Sequence, residues 1–310
     1  MNKKLVVKPS GIGGQAVLEG VMMKNRDRYA VAVRKPDGEI EVEKGHCQSL
    51  RDKYFVCDLP IIRGVVIFVE SLVLGMKSLT DSSKYYEDEE EENRQQMDDA
   101  AKERHEKIET TFTVILSIVL AVGIFMVLPF FISELLKSII KSAKVLAVIE
   151  GIIRIILFIG YVFAISFVED IKRVFMYHGA EHKTINCVEH MLPLTVENVR
   201  KQSREHKRCG TSFIFIVLFI SIIFFIFIRV DNMWLKVLYR IVLVPVIAGV
   251  SYEFIRLAGK SENALVNILS KPGMMLQKLT TKEPDDSMIE VAIASVEAVF
   301  DWKKFQEDSK

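Results

Sequence analysis

The chain of 310 residues is 50% hydrophobic and 26% charged, with 41 Lys and Arg against 40 Asp and Glu and a net charge of +1. A mean hydropathy of +0.24 beside that much charge is the average of two kinds of segment. It excludes a wholly disordered chain, which would lack apolar residues, and near-neutrality leaves no overall positive field for a dedicated nucleic-acid binder.

Residues 1–60 read as a β-rich region on the cytoplasmic side. Leu5–Val7, behind the N-terminal lysines, is too short for an export-signal core, so no cleaved signal is expected. Gly11-Ile12-Gly13-Gly14-Gln15 fits neither the dinucleotide fingerprint nor the P-loop and predicts tight turns or bulges beside a sheet. Tyr29–Arg34 alternates apolar and polar, Lys35-Pro36-Asp37-Gly38 is a turn signal, and Glu39–Glu43 alternates again, which predicts a hairpin.

Residues 61–80 predict an amphipathic interfacial or re-entrant helix, because the apolar run Ile61–Met76 contains Arg63 and Glu70. Residues 81–111 form a polar connector whose consecutive acids at 87–92 are expected to be solvated, without chemistry of their own.

Residues 112–252 predict a four-span membrane domain. Phe112–Ile132 is an uncharged run long enough to cross a bilayer as a helix. Val145–Val168 carries Glu150 and Arg154, spaced to pair on one helix face near the outer end, within reach of water. Phe213–Ile228 is almost pure Ile, Phe, Leu and Val. Leu235–Tyr252 contains Lys236 and Arg240, whose long stems are expected to reach the headgroups. Pro245 and Gly249 inside it predict a kink, or a break lining a cavity.

Orientation follows from Lys and Arg in the short loops. The loop 169–212 holds eight of them, whereas 133–144 and 229–240 hold three each. With four spans, that loop and both termini lie in the cytoplasm of a cell with an inner membrane. There the four scattered cysteines, Cys47, Cys57, Cys187 and Cys209, stay reduced. Residues 253–310 complete the chain as a cytoplasmic amphipathic region, with Asp285, Asp286 and Ser287 as caps for a helix whose apolar residues recur at 289, 292, 293, 296 and 300.

The chemistry concentrates in the basic loop. His178-Gly179-Ala180-Glu181-His182 is the inverted zinc-protease pattern: imidazoles at i and i+4 share a helix face, and the intervening carboxylate can deprotonate water. Glu189 lies about 20° from His178 around an ideal helix, so it can serve as third ligand; Cys187 falls about 180° away. Glu253, at the end of the fourth span, is the rival third ligand. Alternatively Cys187, His190, His206 and Cys209 close a four-ligand structural site. Thiolates favour zinc, whereas two imidazoles with a carboxylate also suit iron or manganese.

The segments Gly13–Met23, Arg173–His190, Arg208–Phe213 and Glu283–Asp286 resemble the YqhQ family of bacterial membrane proteins, catalogued as domain-of-unknown-function family 1385. The resemblance runs from about residue 11 to residue 300. It implies a multi-pass inner-membrane protein and a metal-dependent enzyme, which strengthens the metal reading of His178, Glu181 and His182. It brings no assigned ligand set or substrate.

The sequence thus predicts a predominantly α-helical polytopic membrane protein of about four transmembrane helices with an N-terminal hairpin-containing region. The expected function is metal-dependent hydrolysis, with Glu181 as catalytic base and a divalent metal, zinc first, held by His178, His182 and Glu253 or Glu189. A non-enzymatic scaffold or assembly factor with a structural metal, and a small transporter using Pro245, Glu150 and Arg154, are the alternatives. The lipid bilayer is the partner these spans imply; nucleic acid is not one.

Overall fold

The computed structural model describes residues 8–86, 99–228, 230, 232–258 and 263–308. Leu5–Val7, the acidic run 87–92 and Arg229 lie outside the described residues. In chain order the elements are β1 (Ile12–Val17), β2 (Gly20–Asn25), β3 (Arg28–Arg34), β4 (Ile40–His46), α1 (Leu50–Lys53), α2 (Ile62–Ser83), α3 (Asp99–Val122), α4 (Leu128–Leu135), α5 (Ala143–Ile165), α6 (Glu169–Glu189), α7 (Val196–Arg200), α8 (Gly210–Ile226), α9 (Met233–Ala258), α10 (Ala264–Thr280), α11 (Asp286–Val299) and α12 (Trp302–Glu307). They fall into two compact units, one of Met1–Tyr86, Val162–Phe215 and Ala248–Lys310, the other of Glu87–Tyr161 and Ile216–Ile247.

The first unit is built on an antiparallel sheet in the order β1-β2-β3-β4. Side chains alternate across it. Val21, Met23, Ala30 and Ala32 face a core shared with α6 and α11, while Met22, Tyr29, Val31 and Val33 face Leu74 of α2. Both faces of β2 and β3 are therefore buried. The hairpin expected at 29–43 is β3–β4, with Arg34 opposite Ile40 and Gly38 at a positive φ of 88°. The glycine-rich segment, expected as tight turns or bulges beside a sheet, runs from Ile12 onward as strand β1 of the sheet itself: Gly14 pairs with Met23 and Gln15 with Met22. In β1 glycine is required at Gly14, where a β-carbon would stand 2.8 Å from Met23 Sδ, whereas nothing lies within 4 Å of Gly13. In β2 a β-carbon on Gly20 would stand 2.3 Å from the Ala32 carbonyl oxygen.

α11 covers the sheet through Met288, Ile289, Val291, Ala292, Ser295, Val296 and Val299, all buried. Its N-cap is Asp285, whose carboxylate accepts from the Met288 N–H at 3.0 Å. α2 uses Leu74, Gly75, Ser78 and Ser82 on its buried side, and exposes Val69, Leu72, Val73, Met76 and Leu79 on the other.

Among the described residues, three helical stretches are long and apolar enough to cross a membrane, Ile108–Ser138, Ala143–Ile165 and Trp234–Ala258; Gly210–Ile226 is apolar but shorter. This marks the chain as a membrane protein by length and composition. α9 runs unbroken through Pro245, so the fourth predicted stretch is a continuous helix. Gly249 in it lets the backbone come close to Ile61: a β-carbon there would lie 2.5 Å from the Ile61 carbonyl oxygen.

In the second unit, Glu150 and Arg154 are 2% and 3% exposed, so the pair is closed off from water, contrary to the expectation that water reaches it. Arg240, expected to extend toward headgroups, turns inward and binds Glu150 through Nε at 3.0 Å and Nη2 at 2.5 Å. Glu150 Oε1 also accepts from Arg154 Nη2 at 2.7 Å. Arg154 Nε donates to the Phe125 carbonyl at 2.8 Å. That acceptor is left over because Pro129, four residues on, has no N–H to give it, and the chain widens into a π-turn at Gly123–Val127.

Candidate metal centre

From Tyr177 to Glu189, α6 is buried on nearly every side although most of its residues are polar. Burial of that kind is tolerable only when each polar group finds a partner. Lys183 Nζ donates to the Arg200 carbonyl at 2.8 Å and to Glu283. Thr184 Oγ1 donates to the Ala180 carbonyl at 2.7 Å, and Asn186 Nδ2 to the carbonyls of Ser203 and Glu205 at 2.8 and 3.1 Å. Gly179 is where α6 meets the 282–284 strap, and a β-carbon there would sit 2.1 Å from the Lys282 carbonyl oxygen.

His178 and His182 lie one turn apart, with ring centroids 4.4 Å apart. Each turns its Nδ1 to a backbone carbonyl: His178 to Thr280 at 2.8 Å and His182 to Arg204 at 2.5 Å. A carbonyl only accepts, so the proton sits on Nδ1 in both rings and the Nε2 lone pairs are left for an electrophile. Cys209 Sγ stands 3.3 Å from His178 Nε2. One donor atom from each of His178, His182 and Cys209 lies within 4.8 Å of the others. Tetrahedral zinc, with bonds of about 2.0–2.3 Å, needs its donors about 3.4–3.6 Å apart, so small adjustments bring these three onto one ion. Cys209 precedes α8, and the Thr211 N–H points at its sulfur at 3.4 Å, which places helix-end amides beside the atom that would carry a ligand's negative charge. The donor set fits a divalent ion of zinc type.

Glu181 Oε2 is 3.8 Å from His178 Nε2 and 3.9 Å from His182 Nε2. Burial pushes its carboxyl up to about 7, with the neighbouring His178 pulling the other way; a cation bound beside it would draw it back down. The opposite wall is β1. A β-carbon on Gly14 would meet Glu181 Cγ at 2.7 Å and Oε1 at 2.9 Å, so only glycine leaves the carboxylate its place.

The remaining predicted ligands go elsewhere. Glu253 is taken by Arg63, Oε1 by Nε at 2.6 Å and Oε2 by Nη2 at 2.5 Å. Glu189 shares an angular position with His178, but eleven residues of helix also carry it about 16 Å along the axis. There it accepts from Ser10 N and Oγ at 2.8 and 2.9 Å, pairs with Arg208, and lies 3.4 Å from His206 Nε2. Burial raises the Glu189 carboxyl, yet His206, Arg208 and the Ser10 N–H outweigh it and leave it at about 2. Burial lowers the pKa of His206.

The structure does not bring together the four-residue set Cys187, His190, His206 and Cys209. Cys187 points into the apolar core toward the Leu192 and Pro193 carbonyls at 3.9 and 3.5 Å, and burial pushes its thiol up to about 11. His190 Nδ1 pairs with Gln202 Oε1 at 2.8 Å.

The supports of the two imidazoles and of Cys209 leave no mark in the sequence. The carbonyls of Thr280 and Arg204 orient the two imidazoles, and backbone acceptors leave no side-chain signature. Gln277 fixes the loop before Cys209 by accepting from His206 N at 2.9 Å while donating to the His206 carbonyl and Ser212 Oγ, each at 2.8 Å. A lone Gln in an amphipathic helix gives no hint of this. Gly14 was visible as a glycine, but its role required the facing helix.

A family model described as "Protein of unknown function (DUF1385)" matches residues 59–302. The "Uncharacterized protein YqhQ" of Bacillus subtilis (strain 168) is 37% identical over 290 residues, covering 93% of this chain and 91% of that protein. No solved structure matches the chain. Matched over most of its length by the family model and across nearly all of it by this relative, the chain belongs to the DUF1385 family.

Proposed function

We propose that the chain is a zinc-dependent hydrolase of the inner membrane, in which the shorter apolar helix Gly210–Ile226 crosses as a fourth span beside the three longer ones, so that the centre and both termini lie on the cytoplasmic side. The side follows from the eight Lys and Arg of loop 169–212, which carries His178, Glu181, His182 and Cys209. The observation that supports the chemistry is the position of Glu181, a buried carboxylate next to both Nε2 atoms. His178, His182 and Cys209 are the ligands, and sulfur among them favours zinc over manganese. A bound divalent ion supplies Lewis acidity. Glu181 accepts the proton of the attacking water and returns it to the leaving group. The Thr280 and Arg204 carbonyls keep the imidazoles in the tautomer that binds.

The same placement of Glu181 favours a second reading, in which its carboxylate is a fourth ligand that closes the coordination shell of a structural ion in a scaffold. Glu181→Gln separates the two. A hydrolase variant retains one zinc per chain and loses turnover on a panel of peptide, ester and phosphoester substrates. A structural site loses zinc affinity, and the wild type hydrolyses nothing in the panel.

A further inference from the structure

The second unit contains a cavity of about 490 Å³ between α4, α5, α8 and α9, within the range of about 300–1,000 Å³ usual for ligand sites. Its wall is of two kinds. Among the described residues, Lys137, Lys144, Lys236 and Arg240 line it together with two carboxylates, Glu134 and Glu150, a surplus of two positive charges. Glu150 does not offset the lysines, because both of its oxygens are bound by arginines. Glu134 is shared between Lys137 at 2.6 Å and Lys236 at 3.6 Å. Apart from Ser133 and Ser142, the remaining described wall is apolar, with Phe130, Leu146, Phe225 and Ile226 among its residues.

Two further observations fix its surroundings. Arg240 stacks on Phe130 and Phe225 at 4.6 and 5.1 Å, which holds its guanidinium among the aromatic side chains that line the cavity. Trp234, two residues before the cavity-lining Lys236 on the same helix, is 73% exposed, and a tryptophan at the end of a membrane-length helix marks headgroup depth. A cationic cavity at headgroup depth with an apolar wall suits an amphiphile whose head is an anion.

We propose that this cavity binds an anionic phospholipid, its phosphate held by Lys144 and Lys236 and its first acyl carbons against Phe225 and Ile226. The site shares no residue with the metal centre and does not depend on that reading.

The test uses the full chain purified and delipidated in a neutral detergent. Phosphatidylglycerol, phosphatidylcholine and inorganic phosphate are added in turn, and bound lipid is counted by native mass spectrometry, with melting temperature as a second readout. The expected result is at least tenfold preference for phosphatidylglycerol over phosphatidylcholine. The double variant K144Q/K236Q is expected to bind phosphatidylglycerol at least fivefold more weakly, with phosphatidylcholine binding unchanged. Lys144 is exposed, so K144Q alone leaves the fold intact and is expected to show a smaller loss of the same kind. Equal retention of the two lipids, or wild-type affinity in the double variant, overturns the proposal. Stabilisation by inorganic phosphate equal to that by phosphatidylglycerol overturns it too, since the ligand would then be a soluble anion.

Discussion

Cys209 Sγ lies 3.3 Å from His178 Nε2, although 31 residues separate them along the chain. Both are tied to the end of α10: His178 by its bond to the Thr280 carbonyl, and the loop before Cys209 by Gln277. The distance is therefore set by α10 as well as by the two residues themselves. It also brings Cys209 into the ligand set of the proposed metal centre.

The two buried cysteines should behave oppositely. Cys209→Ala is expected to weaken zinc binding at least tenfold, in line with the loss of a coordinating group. Cys187→Ala should keep full zinc content and cost about 1–2 kcal/mol through the cavity it leaves. Zinc titration against a competing chelator, with thermal melting in detergent, checks both. Cys187, with its thiol pushed up to about 11, should also resist iodoacetamide in the folded protein.

Gly14→Ala puts a methyl group where Glu181 Cγ and Met23 Sδ already stand, at 2.7 and 2.8 Å. The expected cost is about 1–3 kcal/mol of stability, with activity falling more than zinc content because the displaced group is the proposed base. Loss of zinc with no loss of stability would speak against this placement of Glu181.

Gly179→Ala should destabilise by about 2 kcal/mol or more, because the backbone carbonyl of Lys282 stands 2.1 Å from the new atom and cannot rotate away as a side chain could. Gly210→Ala is the control. Nothing lies within 4 Å of that position, and the substitution is expected to be neutral or to stabilise α8 by about 0.5 kcal/mol. Equal effects at the two sites would contradict the packing of α6 against the 282–284 strap.

Glu189 predicts an acid-dependent stability. Its folded pKa is about 2 against an ordinary value near 4.5. The stabilisation is complete above about pH 4.5 and is lost as the pH falls toward 2. The wild-type melting temperature should fall between pH 5 and 3 more steeply than that of Glu189→Gln, which begins lower. Arg208→Ala should remove part of the same effect and cost about 2 kcal/mol at pH 7.

The sequence exposed those parts of the fold that rest on periodicity. Alternation in Tyr29–Arg34 and the turn at Pro36-Asp37-Gly38 produced the β3–β4 hairpin, and the cap at Asp285 marked α11. Angular position on a helix correctly turned Cys187 away from His178, toward the core. The same geometry misled at Glu189, because an angle around the axis says nothing of the rise along it. Glu253 has a ligand's spacing, but Arg63, on a different helix, binds both its oxygens. Arg240 reads locally as a side chain that reaches for the headgroups, because Glu150, its partner, lies 90 residues away. Local pattern thus found the elements and the two histidines, whereas the third ligand and the supports depend on tertiary contacts of the loop 201–209, which carries no periodic signal.

The claim that His178, His182 and Cys209 hold one divalent ion is tested most directly by metal analysis of the detergent-purified chain, grown with ample zinc, iron and manganese. The account predicts close to one zinc per chain in the wild type and almost none in His178→Ala, with the variant still folded by circular dichroism. A metal-free wild type, or a His178→Ala protein that retains its full complement, would contradict it.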